Sequence, residues 1–153
     1  MITRQYLFRG KENKTGKWIE GSLISLYKDI AEIFYIKNIT KQQGIETACI
    51  YVIPETIGQF IGMLDKNGNR IFEGDVVKVL YDPNSFNYMG ISERNQYYFN
   101  AIVVYNEFNA RFGMKKTHKS KKNSRNKNYY FSDLQICEIE IIGNIFDNPK
   151  LIE

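Results

Sequence analysis

The chain has one histidine, two cysteines and three prolines in 153 residues, and each scarcity excludes something. A single histidine, His118, removes Ser-His-Asp and Cys-His nucleophile systems with ordered geometry. It also removes histidine-rich metal sites. His118 lies in a strongly basic stretch and is read as an ordinary side chain there. The cysteines, Cys49 and Cys137, fit no metal or redox spacing. They are expected as reduced thiols packed as small hydrophobes. No apolar run approaches the roughly 20 residues that cross a bilayer. The first residues, Met1 to Gln5, run straight into a strand-like segment, with no secretory leader legible. The expectation is therefore a cytoplasmic protein with no membrane contact, in which the acceptor triplet Asn38-Ile39-Thr40 is a chance match. A phosphate-cradling glycine loop is also missing, because Gly58-Gln59-Phe60-Ile61-Gly62 has bulky residues where bare backbone is needed. No cofactor and no metal are expected.

What is present points to strands. Hydrophobic residues make up 43% of the chain and charged residues 25%, an ordinary globular balance. The 10 Phe and 11 Tyr are many for this length, and aromatics favour pleated, half-buried surfaces. Strand-like runs occur at Tyr6–Arg9, Trp18–Ile24, Ile30–Ile36, Ala48–Ile53, Ile57–Leu64, Arg70–Phe72, Val76–Tyr81, Ala101–Tyr105, Phe108–Met114, Tyr129–Phe131 and Ile139–Phe146. Ile30–Ile36 is apolar on both faces, as a buried strand should be. Lys37–Glu46 reads as a polar connection, Asp82–Asn100 as a long excursion and the last residues as one helical turn. Asn67-Gly68 is a two-residue hairpin signal, because both residues tolerate positive φ. No convincing amphipathic helix appears. The reading is all-β, with roughly ten short strands in a meandering, partly barrel-like architecture. Residues 1–56 form an N-terminal β subdomain and 57–153 a barrel-like core, with the excursion at 82–100 and a basic loop at 115–128.

Charge is unevenly placed. Seven of the 21 basic residues, Lys115, Lys116, Lys119, Lys121, Lys122, Arg125 and Lys127, fall in one short segment. Without those seven, 14 basic residues face 17 acidic ones, so the rest of the chain is mildly acidic. Such a segment can meet phosphates, and Tyr129-Tyr130-Phe131 directly after it can stack on bases. The plainer reading is a solvated loop, with the aromatics turned inward as core. Four carboxylates, Glu55, Asp65, Glu73 and Asp75, lie close together in sequence. Paired carboxylates can run glycoside hydrolysis, but three of these adjoin turns, where they cap backbone amides. Asp65-Lys66-Asn67-Gly68-Asn69 is not a calcium loop. Its glycine is fourth rather than sixth, and Val76 stands where the twelfth-position glutamate belongs.

The run Pro54-Glu55-Thr56-Ile57-Gly58-Gln59-Phe60-Ile61-Gly62, continuing through Asp65-Lys66-Asn67-Gly68 and Ile71-Phe72-Glu73-Gly74-Asp75-Val76-Val77, closely resembles the signature of YopX-like proteins of phages and prophages. Leu7-Phe8-Arg9-Gly10 and Ile142-Gly143-Asn144-Ile145-Phe146-Asp147-Asn148-Pro149 are similar to the same family. The resemblance implies a mostly β fold and a tendency to self-assemble. It carries over no activity and no catalytic residues. The Gly74-Asp75-Val76-Val77 corner is similar to that of SH3-like barrels, which concerns fold alone. The expectation is a non-catalytic phage or prophage accessory protein in a bacterial cytoplasm, acting through protein–protein contacts or as a homo-oligomer. The alternatives are weak, sequence-independent nucleic-acid binding through 115–127 and a carboxylate-based enzyme.

Overall fold

Alternating apolar and polar residues, punctuated by glycine turns, produce antiparallel strands throughout. The computed structural model describes residues 5–27, 29–40, 44–82, 97–117, 128–131 and 136–152. Among these are eleven β-strands, three short 3-10 turns and no α-helix, so the all-β expectation holds. Two compact units divide the chain, Met1–Gly62 and Met63–Glu153.

In the first unit, β1 (Phe8–Lys11), β2 (Trp18–Tyr27), β3 (Ile30–Thr40), β4 (Gly44–Val52) and the start of β5 (Gly58–Leu64) lie in the order β4-β3-β2-β1-β5. Ala31, Ile33 and Val52 form the buried centre, with Ile19, Leu23 and Ile57 packed on it. The sheet curls. Glu12 bridges Val52, and the Ile53 amide donates to the Lys11 carbonyl at 2.8 Å, so β4 bends back toward the end of β1. This is a partial closure only, and neither sheet forms a closed barrel among the described residues.

Two expectations about strands fail in this unit. Lys37–Glu46 is not a polar connection. β3 runs on to Thr40 and β4 starts at Gly44, with Ile39 opposite Ile45 and Lys37 ion-paired to Glu46 at 2.9 Å. Polar residues on a solvated ribbon look like a loop in sequence but pair as well as apolar ones. Ile30–Ile36 is also not buried on both faces. Ala31 and Ile33 are buried, whereas Ile30, Phe34 and Ile36 are exposed.

In the second unit, the end of β5 and β6 (Arg70–Phe72) form a hairpin. Then β7 (Asp75–Tyr81), β8 (Tyr97–Asn106), β9 (Arg111–Lys116), β10 (Asn128–Tyr130) and β11 (Ile136–Asn144) build a sheet ordered β10-β9-β8-β7-β11. Val77, Val79, Ala101, Val103, Met114 and Tyr129 are buried on its inner face, and Ile71 and Phe72 of the hairpin are buried as well. The excursion is shorter than expected, because Tyr97–Asn100 already belongs to β8 and Tyr97 pairs with Tyr81. Apart from Asp82, the rest of it lies outside the described residues. The hairpin turn is also one residue longer than the expected two-residue form. Gly68 alone has positive φ (83°), and its amide donates to the Asp65 carbonyl at 3.0 Å. The Asp65 amide donates to the Asn69 carbonyl at 2.8 Å, a three-residue loop with a glycine bulge. At the next corner Gly74 (φ 82°) donates to the Val103 carbonyl at 2.9 Å. The chain ends in a 3-10 turn, Pro149–Leu151.

Gly21 shows how tightly the first sheet is built. A Cβ there would sit 2.1 Å from the Phe34 carbonyl oxygen and 2.7 Å from Ile33 Cγ2. Gly21→Ala is expected to destabilise the protein by about 3 kcal/mol or more through backbone displacement. Lys17→Ala, on an exposed residue, should stay within about 0.5 kcal/mol in the same thermal or denaturant unfolding measurement.

Candidate functional site

The carboxylates come first, because they are the nearest thing to a catalytic set. Asp65 is buried, and its carboxylate accepts four hydrogen bonds: the Asn67 amide at 2.9 Å, the Asn69 amide at 2.8 Å, Asn69 Nδ2 at 3.3 Å and the Ile141 amide at 3.2 Å. Burial pushes its pKa up, but these donors more than offset that and hold it below the ordinary carboxylate value. Asp75 is buried and accepts the Phe72 amide at 2.8 Å. Glu73 accepts the Tyr105 amide at 3.3 Å. Glu55 is exposed in the 3-10 turn Pro54–Thr56, whose Thr56 Oγ1 accepts the Lys11 amide at 2.9 Å. Three of the four carboxylates are thus engaged by main chain, Asp65 at the hairpin turn and Glu73 and Asp75 on either side of Gly74. No three His, Cys, Asp or Glu side chains converge as a metal site among the described residues.

Of the basic segment, Lys115 and Lys116 are described, and they belong to β9 rather than to a loop. Being consecutive on a strand, they leave opposite faces. Lys116 turns to the inner face and is half-buried, its Nζ 4.3 Å from the Phe99 ring centre, 5.0 Å from Tyr129 and 5.3 Å from Tyr97. Tyr81, Tyr97, Phe99 and Tyr129 pack ring against ring around it. Burial pushes the Tyr97 phenol up, with Lys116 pulling the other way. Tyr129 is buried, so its ring is core. Tyr130 lies on the outer face beneath Arg111, whose guanidinium carbon is 3.3 Å from the ring centre, and its hydroxyl accepts Asn109 Nδ2 at 3.0 Å. Arg111 and Asn109 draw the Tyr130 phenol pKa down. Lys119, Lys121, Lys122, Arg125, Lys127 and His118 lie outside the described residues.

A feature that sequence reasoning missed is the outer face of β2–β4. Ile24, Ile30, Phe34, Ile36, Ile39, Ile45 and Tyr51 are 38–67% exposed, and cross-strand register sets most of them on one side of the sheet. Cys49 shares that face and is exposed, not packed as expected, its thiol donating to Glu32 at 3.2 Å. That hydrogen bond pushes the thiol pKa up. The Cys137 side chain lies outside the description. The signal was in β3 all along, since apolar residues on both faces fit an exposed contact surface as well as burial. β4 is the edge of this sheet.

The family model for the YopX protein matches residues 7–153. The chain belongs to the YopX family. The crystal structure of protein EF1440 from Enterococcus faecalis is similar at 23% identity, with 99% of this chain and 100% of that chain covered and a TM-score of 0.49. Among curated proteins none matches. The YopX match includes every residue of the Pro54–Val77 signature, and the geometry above assigns several of these side chains to turns. No helix among the described residues is long and apolar enough to cross a membrane.

Asp65 therefore titrates as a structural group. Its folded pKa lies below the unfolded value, so its contribution is complete above about pH 4 and is lost as pH falls through the folded value. Asp65→Asn is expected to cost about 1–3 kcal/mol at neutral pH. It should also flatten the acid limb of the stability profile, measured by urea unfolding across pH. An unchanged acid limb in the variant would mean that other groups set it.

Proposed function

We propose that this YopX-family chain is a non-catalytic phage or prophage accessory protein of the bacterial cytoplasm that works by protein–protein contact, first of all with copies of itself. The observation that carries this reading is the exposed apolar outer face of β2–β4, which ends at an edge strand. Contiguous exposed apolar surface is uncommon on monomers and marks contact sites. An edge strand presents unpaired backbone groups that a second antiparallel copy of the same strand can satisfy. A two-fold axis makes one patch complementary to itself. Along β4, Gly44 to Ile50 make up this edge, while Tyr51 to Ile53 already meet residues 11–13. The non-catalytic part draws support from the carboxylates, since Asp65 bonds to main chain at the hairpin turn and Glu73 and Asp75 do so at the Gly74 corner.

Light scattering should give a mass above that of the 18.0 kDa chain at micromolar concentration. Ile36→Lys and Ile45→Lys place a charge on the apolar face at exposed positions. Each is expected to return the protein to the monomer mass while changing folding stability by no more than about 0.5 kcal/mol. A wild-type protein that stays monomeric at tens of micromolar overturns the reading.

A further inference from the structure

We infer that the outer face of the second unit's sheet, from Tyr98 of β8 with Lys78 of β7 beside it to Lys115 of β9 further along the strands, is a binding platform for single-stranded nucleic acid. Register places these side chains on one face. Tyr98 is opposite Leu80, Lys78 opposite Asn100 and Lys115 opposite Ile102, so all of them stand on the face away from buried Val79, Ala101, Val103 and Met114. Adjacent strands are about 4.8 Å apart and Ile102 is four residues along β8 from Tyr98, so Lys115 stands about 14 Å from Tyr98 and the track runs along the strands.

The chemistry on that track is cationic and aromatic. Tyr98 is 56% exposed, and Lys78 Nζ lies 4.5 Å from its ring centre. Lys78 and Lys115 are exposed. Further along the same face Arg111 stacks on Tyr130. The acidic residues of this face, Glu138 and Glu140, stand at the β11 border. Both are held by Lys66, at 3.1 and 2.7 Å, which offsets the repulsion they would exert on phosphate. Single strands are bound by this pairing of features, phosphates meeting cations while bases stack on exposed aromatic rings. An acidic protein partner would use the lysines but has no need of the ring. Duplex DNA keeps its bases stacked inside and likewise uses the cations alone. The proposal uses none of the β2–β4 surface, so it stands or falls independently of self-association. It also differs from phosphate binding by the 119–127 cations.

The test is fluorescence anisotropy of a labelled single-stranded oligonucleotide, titrated at low and at physiological salt with the full chain. Wild type should bind at low salt and weaken steeply as salt rises. Tyr98→Ala should weaken binding about tenfold, and Tyr98→Phe, which keeps the ring, should bind like wild type. Lys78→Gln with Lys115→Gln should lower the salt slope by about two. All three positions lie at the surface, and circular dichroism checks that each variant folds. Lys119→Gln with Lys121→Gln and Lys122→Gln separates the two cation sources, and Ile36→Lys separates binding from assembly. Absence of binding at low salt overturns the proposal. So does binding that Tyr98→Ala leaves unchanged, whether the segment lysines or a duplex competitor then account for it.

Discussion

The second unit depends on one buried carboxylate. Removing an ionised group from water is costly unless hydrogen bonds replace the lost hydration. Asp65 meets that condition with four donors, three from its own turn and one from Ile141 on β11. The turn is thereby fastened to a strand 76 positions away in sequence. The neighbouring Lys66 amide donates to the Ile139 carbonyl at 2.9 Å, and its ammonium clasps Glu138 and Glu140. With β11 held there, Ile139 stands opposite Val79 and Ile141 opposite Val77, between two register shifts. Asp75 repeats the device at the next corner, where it accepts the Phe72 amide while Gly74 supplies the positive φ. Asp65 and Asp75, which sequence groups with possible catalysts, thus each fasten main chain at a corner.

The two units bury their inner faces by the same rule and differ in what they leave outside. The first leaves isoleucine, phenylalanine and tyrosine on the outer side of β2–β4. The second leaves lysine, arginine and tyrosine on the outer side of β7–β10. Apolar surface favours association through burial, whereas a cationic face carrying rings favours phosphates and bases. Lys116 marks the border between inner and outer chemistry. One residue from Lys115, it stands among Tyr97, Phe99 and Tyr129, where ring faces attract its ammonium.

Much of the architecture was legible because strand alternation and turn glycines are local. The Val76–Tyr81 strand, the corner at Gly74 and the hairpin around Gly68 all sit where the residues indicate. The Pro54–Val77 signature pointed to the family that the comparison with residues 7–153 then showed. The misreadings share one cause. Polar residues of Lys37–Glu46 and Tyr97–Asn100 look like loops because sequence records polarity and not the partner strand across from it. Ile30, Phe34 and Ile36 look buried because apolarity does not say whether anything covers it.

The amino-acid sequence by itself determined the strand class, the turn positions and the family, since each rests on periodicity or on φ restrictions acting within a few residues. Tertiary structure decided everything that depends on pairing. It set Lys115 and Lys116 on opposite faces of β9, spent Asp65 on the distant Ile141 amide and left an apolar face beside the β4 edge. The reason is physical: a side chain's role follows from its cross-strand neighbours and its access to water, and both are properties of register.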